Sequence, residues 1–278
     1  MTSNSLDSAL RFEALAEKPT GVWSRPRQFR FLNRIGTISL SDSEILQSAL
    51  YLPLAVREDA GACEVVAVVH SDFLARPLIR DDGRWLPFYM PLALRCLPFR
   101  HAGRADGGAV KLEIATGLDE ADETAVLPFT LNTGRPHRDF AATVAHLDRL
   151  EIGKTRLAKA AATLLAADVL VKLTSSNARK ALDTHLLVVD QDRLRRLTPA
   201  RTVALAVDGF LALDLATACC FSSRLWASHL LPEKTADGHA AAGLPSVDYH
   251  AHAVLPVDLR IDDSSLFSFE AFAEGDDQ

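Results

Sequence analysis

The sequence is short of the features that announce a chemistry. It holds only four cysteines, Cys63, Cys96, Cys219 and Cys220. None form Cys-x-x-Cys, and the vicinal Cys219 and Cys220 are poorly placed to bridge each other, so reduced and mostly buried thiols are expected. There is no Gly-x-Ser-x-Gly elbow, which removes the usual setting for Ser-His-Asp catalysis. Gly107-Gly108 lacks the rest of a phosphate loop. Gly153-Lys154-Thr155 ends like one, but Asp148 stands where its first glycine would be. An excess of positive charge is also missing: 30 basic against 36 acidic residues leave a net charge of −6. That excludes a protein that covers nucleic-acid phosphates over a broad face. The local cluster Arg193, Arg195, Arg196 and Arg201 is expected to decorate the solvent face of a short helix, so no nucleic-acid partner is expected. The most apolar stretch, Val203 to Phe221, is interrupted by Asp208, Gly209 and Asp214, so no membrane span is expected. The polar start, Met1 to Asp7, has no basic region followed by an apolar run. A cytoplasmic location is therefore expected, with export by a non-classical route as the alternative.

What is present is a packed globular composition, 48% hydrophobic and 24% charged, over 278 residues. Residues 1–24 are weakly patterned and expected to be flexible. Phe29-Arg30-Phe31 alternates like a half-buried strand. Ser41-Asp42-Ser43-Glu44 is a capping box, opening a helix through Ile45, Leu46, Ala49 and Leu50 that Pro53 stops. Glu64 to Val69 is a continuous β-branched run and reads as a strand buried on both faces. Asp81-Asp82-Gly83 between apolar runs is a tight hairpin turn, because glycine accepts positive φ. Val110, Leu112 and Ile114 alternate as a half-exposed strand. From Arg138 the spacing turns helical: Phe140, Val144 and Leu147 predict one helix, Gly153 a break, and Leu157, Ala161, Leu164 and Val171 a second helix. His185 to Val189 is a buried strand, Thr198-Pro199 starts a helix, and Leu211 to Trp226 predicts a last long helix ending at Pro232. Strands ahead of helices, without regular alternation, give an α+β fold: an N-terminal mostly β sheet with hairpins and a mostly helical C-terminal half. The expected organisation is a flexible 1–24, one α+β domain over 25–232, and a linker and tail over 233–278.

The ordered landmarks resemble the SapC family. The resemblance starts at Phe29-Arg30-Phe31 and Ile38-Ser39-Leu40 and continues through Glu44 to Leu54. It is clearest at Asp82-Gly83-Arg84-Trp85, Tyr89-Met90-Pro91 and Leu97-Pro98-Phe99, a stretch the family writes as D-G-R-W, Y-I-P and Y-P-F. Val188-Val189-Asp190 with Leu194 and Leu197 is similar to a downstream family segment. The specificity lies in order and spacing from about Phe29 to Leu231. Thr217 stands where the family pattern carries a histidine in the last helix, and the tail after Pro232 lies outside the resemblance. The family name implies association with bacterial surface layers, and its members generally have no established catalytic activity.

Two sets of residues are candidates for a site. Arg84, Trp85 and Tyr89 follow the turn and can bind a ligand, although aromatic residues after a hairpin, Phe88 among them, are commonly core. In the tail, Asp248, His250 and His252, with His239 upstream, are metal-ligand types; His250 and His252 point the same way in a strand, as two ligands of one zinc or iron would. Solvated tail histidines are the simpler account of that cluster. The expectation is a non-enzymatic, intracellular accessory that binds another protein, linked to the envelope or surface layer, with no cofactor. The alternative is a metal-dependent enzyme using the tail histidines.

Overall fold

The computed structural model describes residues 6–59, 61–102, 111–118, 126–173, 186–207 and 209–227. The chain divides after Glu233 into two compact units, and every described residue belongs to the first. Its strands are β1 (Arg11–Ala14), β2 (Val22–Trp23), β3 (Thr37–Ser39), β4 (Leu54–Asp59), β5 (Ala62–Val68), β6 (Phe99–His101), β7 (Leu112–Thr116), β8 (Leu127–Pro128), β9 (Leu170–Lys172) and β10 (Leu186–Val189). The α-helices are α1 (Leu6–Ala9), α2 (Ile45–Ala49), α3 (Leu92–Arg95), α4 (Arg138–Ala166), α5 (Gln191–Arg195), α6 (Pro199–Ala206) and α7 (Leu211–Ser222). This is an α+β fold.

A five-stranded antiparallel sheet, ordered β3-β5-β4-β10-β9, forms the centre. Its two faces explain the continuous apolar run of β5. Val65 and Ala67 face α4 and α7, together with Ile38, Leu54 and Val56, while Val66 and Val68 face a smaller cluster around Phe73 and Trp226. Both faces are covered, so no polar alternation survives. A second sheet, β1-β7-β6, and the short pair β2-β8 complete the unit. Between them Trp23, Phe99, Phe129 and Phe140 pack edge-to-face, with centroids 4.9–5.9 Å apart.

The structure corrects the expected organisation at the start of the chain. Residues 11–14, expected to be flexible, pair in register with β7 from Arg11↔Thr116 to Ala14↔Glu113, and Trp23 is buried. Phe29-Arg30-Phe31 is not a strand but leads into a 3₁₀ turn over Arg30–Arg34. Both rings are buried there, because a tight turn can present i and i+2 to one core as readily as a strand can.

Gly153 does not break a helix. α4 runs unbroken for 29 residues, burying Phe140, Leu147, Leu150, Leu157 and Leu164 along one stripe. Each such side chain contributes roughly 1.5–3 kcal/mol when fully buried. The helix stops at Ala166 because Asp168 adopts φ 59°, a left-handed position that Asp tolerates, and Val171 falls in β9 instead. Arg193 Nη1 donates to Asp168 Oδ1 at 2.8 Å and fixes that turn. The last helix is also shorter than expected, ending at Ser222 before a 3₁₀ turn over Ser223–Leu225.

Candidate functional site

The turn expected at Asp81-Asp82-Gly83 forms, and its geometry explains its residues. Gly83 sits at φ +86°, and a Cβ there would lie 3.0 Å from Arg30 Nε and Gln28 Oε1. The Arg84 amide donates to Asp82 Oδ1 at 3.0 Å, and the Phe29 amide donates to the Gly83 carbonyl at 2.8 Å, docking the turn on the N-terminal segment. Arg84 is exposed and pairs with Asp82 at 3.6 Å. Trp85 is half-buried against Phe29, and its Nε1–H donates to the Tyr89 carbonyl at 2.9 Å. Phe88, by contrast, is 91% exposed and is not core.

The Trp85–Tyr89 bond aims the Tyr89 ring at a residue the sequence presents only as a helix cap. Glu44 is 2% exposed. Its Oε1 accepts from the Ser41 amide at 2.8 Å, the return half of the capping box. Its Oε2 accepts from the Tyr89 hydroxyl and from the Leu92 amide at the start of α3, each at 2.8 Å. Burial raises the Glu44 carboxyl above its ordinary 4.5, while these hydrogen bonds and Arg95 pull it back. One carboxylate thus holds together the capping box, the Asp-Gly-Arg-Trp turn and the Tyr-Met-Pro segment.

Beside this node lies a cleft of about 880 Å³. Its lining mixes buried apolar residues, Ile38, Leu97, Leu147 and Leu150, with charged ones, Arg57 and Glu64 on the β4–β5 hairpin and Glu151 and Lys154 on α4. Arg57 and Glu64 are cross-strand partners in the β4–β5 hairpin and form an ion pair. Arg57 Nη1 also donates to Thr37 Oγ1 at 3.2 Å, and the Ser39 hydroxyl donates to Glu64 Oε1. Burial alone would raise the Glu64 carboxyl. Arg57, Ser39 and Lys154 outweigh it and hold it below its ordinary 4.5. Also in the lining, His101 Nε2 lies 3.4 Å from Asp148 Oδ1, and Lys154 pairs with Glu151 at 3.1 Å.

Two sheet edges open onto this cleft. β3 ends the five-stranded sheet and β6 ends the three-stranded one. The Gly36 carbonyl accepts from Val69 and the Leu40 amide donates to Val65, so alternation turns the backbone groups of Thr37 and Ser39 away from β5. The Pro98 carbonyl accepts from Ala115 and the Ala102 amide donates to Lys111, so those of His101 point away from β7 in the same way. Of the three candidates only Tyr89 reaches Glu44, Trp85 being linked to it through the Tyr89 carbonyl and Arg84 pairing with Asp82 at the surface, and none of them lines the cleft. His239, Asp248, His250 and His252 lie outside the described residues. Among the described residues, no group of three or more His, Cys, Asp or Glu is placed to hold a metal ion.

The SapC family model matches residues 21–228, about three quarters of the sequence. The chain belongs to the SapC family. No curated protein and no solved structure matched it. The SapC match contains the Ser41–Glu44 box, the Gly83 turn, Tyr89 and nearly all of the cleft, and it excludes the tail histidines. Thr217, at the position where the resemblance expects a histidine, is an exposed residue of α7.

The thiols of this SapC chain are free. Burial pushes Cys96 and Cys219 up to about 12, and raises Cys63 and Cys220 as well. At neutral pH they are protonated, and the thiolate is the reactive form. In the folded protein Ellman's reagent is expected to label Cys63 and Cys220 slowly and Cys96 and Cys219 only after denaturant is added. Rapid labelling of Cys96 or Cys219 in the native state would contradict this burial.

Proposed function

We propose that this SapC chain is a non-enzymatic protein-binding module that takes an extended segment of a partner protein along the β3 edge of the cleft. The observation that carries the reading is the opening of two strand edges, β3 and β6, onto one cavity lined by both apolar and charged side chains. A strand added to such an edge gains main-chain hydrogen bonds, and its successive side chains point to opposite faces. Charged residues of the lining are satisfied in pairs, Arg57 with Glu64 and Lys154 with Glu151. A lining of paired charges and apolar groups suits a neutral segment that carries both polar and apolar side chains. Action inside the cell belongs to the same proposal, as does a link to the envelope or surface layer, which rests on the family name alone.

The reading is tested by selecting displayed random peptides against the full chain. Enriched peptides are expected to alternate apolar and polar residues and to bind in extended form. Ser39→Pro removes an outward N–H without touching the β5 ladder, and is expected to weaken them at least about tenfold, since lost edge bonds and a perturbed wall act together. Ser39→Ala controls for the lost hydroxyl, and Ile152→Glu, at an exposed cleft residue, is expected to weaken them too. Peptides that bind all three variants as well as the parent chain would overturn the proposal.

A further inference from the structure

We infer that Arg25, Arg95, His146 and Arg149 form a binding site for a phosphoryl group, carried by a soluble phosphate monoester or by a lipid headgroup. The site is independent of the cleft, and none of the four residues lines it. Three separate elements bring them together. His146 and Arg149 stand one turn apart on α4, and Arg95 is the last residue of α3. Leu92 and Ala93 of α3 pack on Leu150, and Cys96 Sγ donates to the Thr143 carbonyl at 3.9 Å. These contacts lay α3 against the α4 turns that carry His146 and Arg149. Arg25 lies over the Trp23 ring at 5.9 Å, and Trp23 is buried in one cluster with Cys96 and Leu147, the neighbours of Arg95 and His146. The three arginines are exposed and His146 is half-buried.

The charges around these residues select an anion. Among the described residues, Arg25, Arg95 and Arg149 form no ion pair. Partial burial and the charges of Arg95, Arg149 and Arg25 hold the His146 imidazole below its ordinary 6.5, and no carboxylate is among the charges that shift it. Asp148 and Glu151 lie roughly 160° and 140° around α4 from His146. Both line the cleft, where His101 and Lys154 engage them. Asp139 lies two turns earlier and pairs with His137 at 3.4 Å. The Ser41 turn brings two carboxylates towards this side of α4. Asp42 pairs with Arg156 at 3.1 Å, and Glu44 already accepts from three donors. Four arginines, Arg156 included, against these two carboxylates leave a surplus of two positive charges. The Trp23 Nε1–H, in the ring under Arg25, is also buried without an acceptor among the described residues. An arginine fork matches two phosphoryl oxygens at once, and forks from three elements around one imidazole fit a single compact dianion better than an extended acidic chain.

The test follows the His146 imidazole by NMR while the full chain is titrated with inorganic phosphate, O-phosphoserine or glutamate at a fixed ionic strength of about 0.15 M. Phosphate and O-phosphoserine are expected to shift its resonances saturably and to raise its pKa, because a bound anion offsets the three arginines. Glutamate is expected to do neither. Arg25→Gln and Arg149→Gln are each expected to weaken binding at least about tenfold, and Arg196→Gln, at an exposed position after α5, by less than about twofold. All three altered side chains are exposed, so thermal unfolding should stay within a few degrees of the parent. Co-sedimentation with phosphatidylcholine vesicles, with and without phosphatidic acid, separates the two sources. Binding to the phosphatidic acid vesicles alone would assign the phosphoryl group to a lipid headgroup, and binding to the soluble compounds alone to a phosphate monoester. Three results would overturn the inference: no binding of any phosphoryl probe, an equal response to glutamate, or a loss with Arg196→Gln as large as with Arg149→Gln.

Discussion

Replacing Glu44 by alanine is expected to destabilise the protein by about 3–5 kcal/mol, the range for removing one partner from a buried charged network. For a unit of this size that lowers the melting temperature by roughly 6–20 °C. Two effects oppose each other at this position. Burial disfavours the ionised carboxylate, so some relief follows when the charge is removed. Against that, alanine leaves the Ser41 amide, the Leu92 amide and the Tyr89 hydroxyl without the acceptor they share in the interior. Each orphaned donor costs about 1–3 kcal/mol, and three of them outweigh one desolvated charge. Glu44→Gln should fall in between. Its carbonyl oxygen can serve Tyr89 and Leu92, but its NH₂ then faces the Ser41 N–H, donor against donor.

The same residue predicts a pH dependence. The folded pKa of Glu44 lies above the unfolded value near 4.5, so its contribution is fully present below that value and is lost as pH rises through the folded pKa. Glu64 runs the other way: its folded pKa is depressed, and its contribution is lost as pH falls through it. Chemical denaturation across acid to neutral pH should therefore show a decline in stability on the upper limb that Glu44→Gln flattens. A Glu44→Gln profile parallel to that of the parent chain would show that Glu44 does not titrate differently on folding.

Gly153→Ala reverses an ordinary rule. In an exposed helix interior this change stabilises by about 1 kcal/mol, through helix propensity. Here a Cβ would sit 1.9 Å from Ser41 Oγ, 2.6 Å from Asp42 Oδ1 and 2.8 Å from the Asp42 backbone nitrogen. The Ser41 hydroxyl can rotate, although it would give up its 3.3 Å bond to the Arg149 carbonyl. The Asp42 backbone cannot move without displacing the capping box and with it Glu44. Overpacking of this kind costs typically 1–3 kcal/mol and exceeds the propensity gain, so a net loss of about 1–2 kcal/mol is expected in urea denaturation. A more stable Gly153→Ala protein would mean that α4 does not pack so closely on the Ser41 turn.

Gly153 also marks the boundary of what the sequence can tell. Local rules read it as a helix breaker, whereas it lies within α4 so that the turn over a hundred residues earlier can touch the helix backbone. Features with short-range causes were legible: the Ser41–Glu44 box, the Gly83 turn, the doubly buried β5 and the Thr198-Pro199 helix start. Glu44 was legible as a cap but not as a buried node, because two of its three donors come from 45 and 48 residues away. The cleft was not legible either, being assembled from many elements whose polar residues are individually ordinary. One signal was available. Arg57 and Glu64 stand symmetrically about a hairpin closed by Asp59↔Ala62, and opposite charges placed that way face each other across the ladder.

That the SapC landmarks meet on one buried carboxylate is tested by a double-mutant cycle between Glu44 and Tyr89. Stabilities of the parent chain, Glu44→Ala, Tyr89→Phe and the double variant would be measured by equilibrium denaturation. A 2.8 Å hydrogen bond to a buried charged acceptor predicts a coupling energy of about 1.5–3 kcal/mol, with Tyr89→Phe nearly silent once Glu44 is gone. Effects that add to within about 0.3–0.5 kcal/mol would contradict the claim.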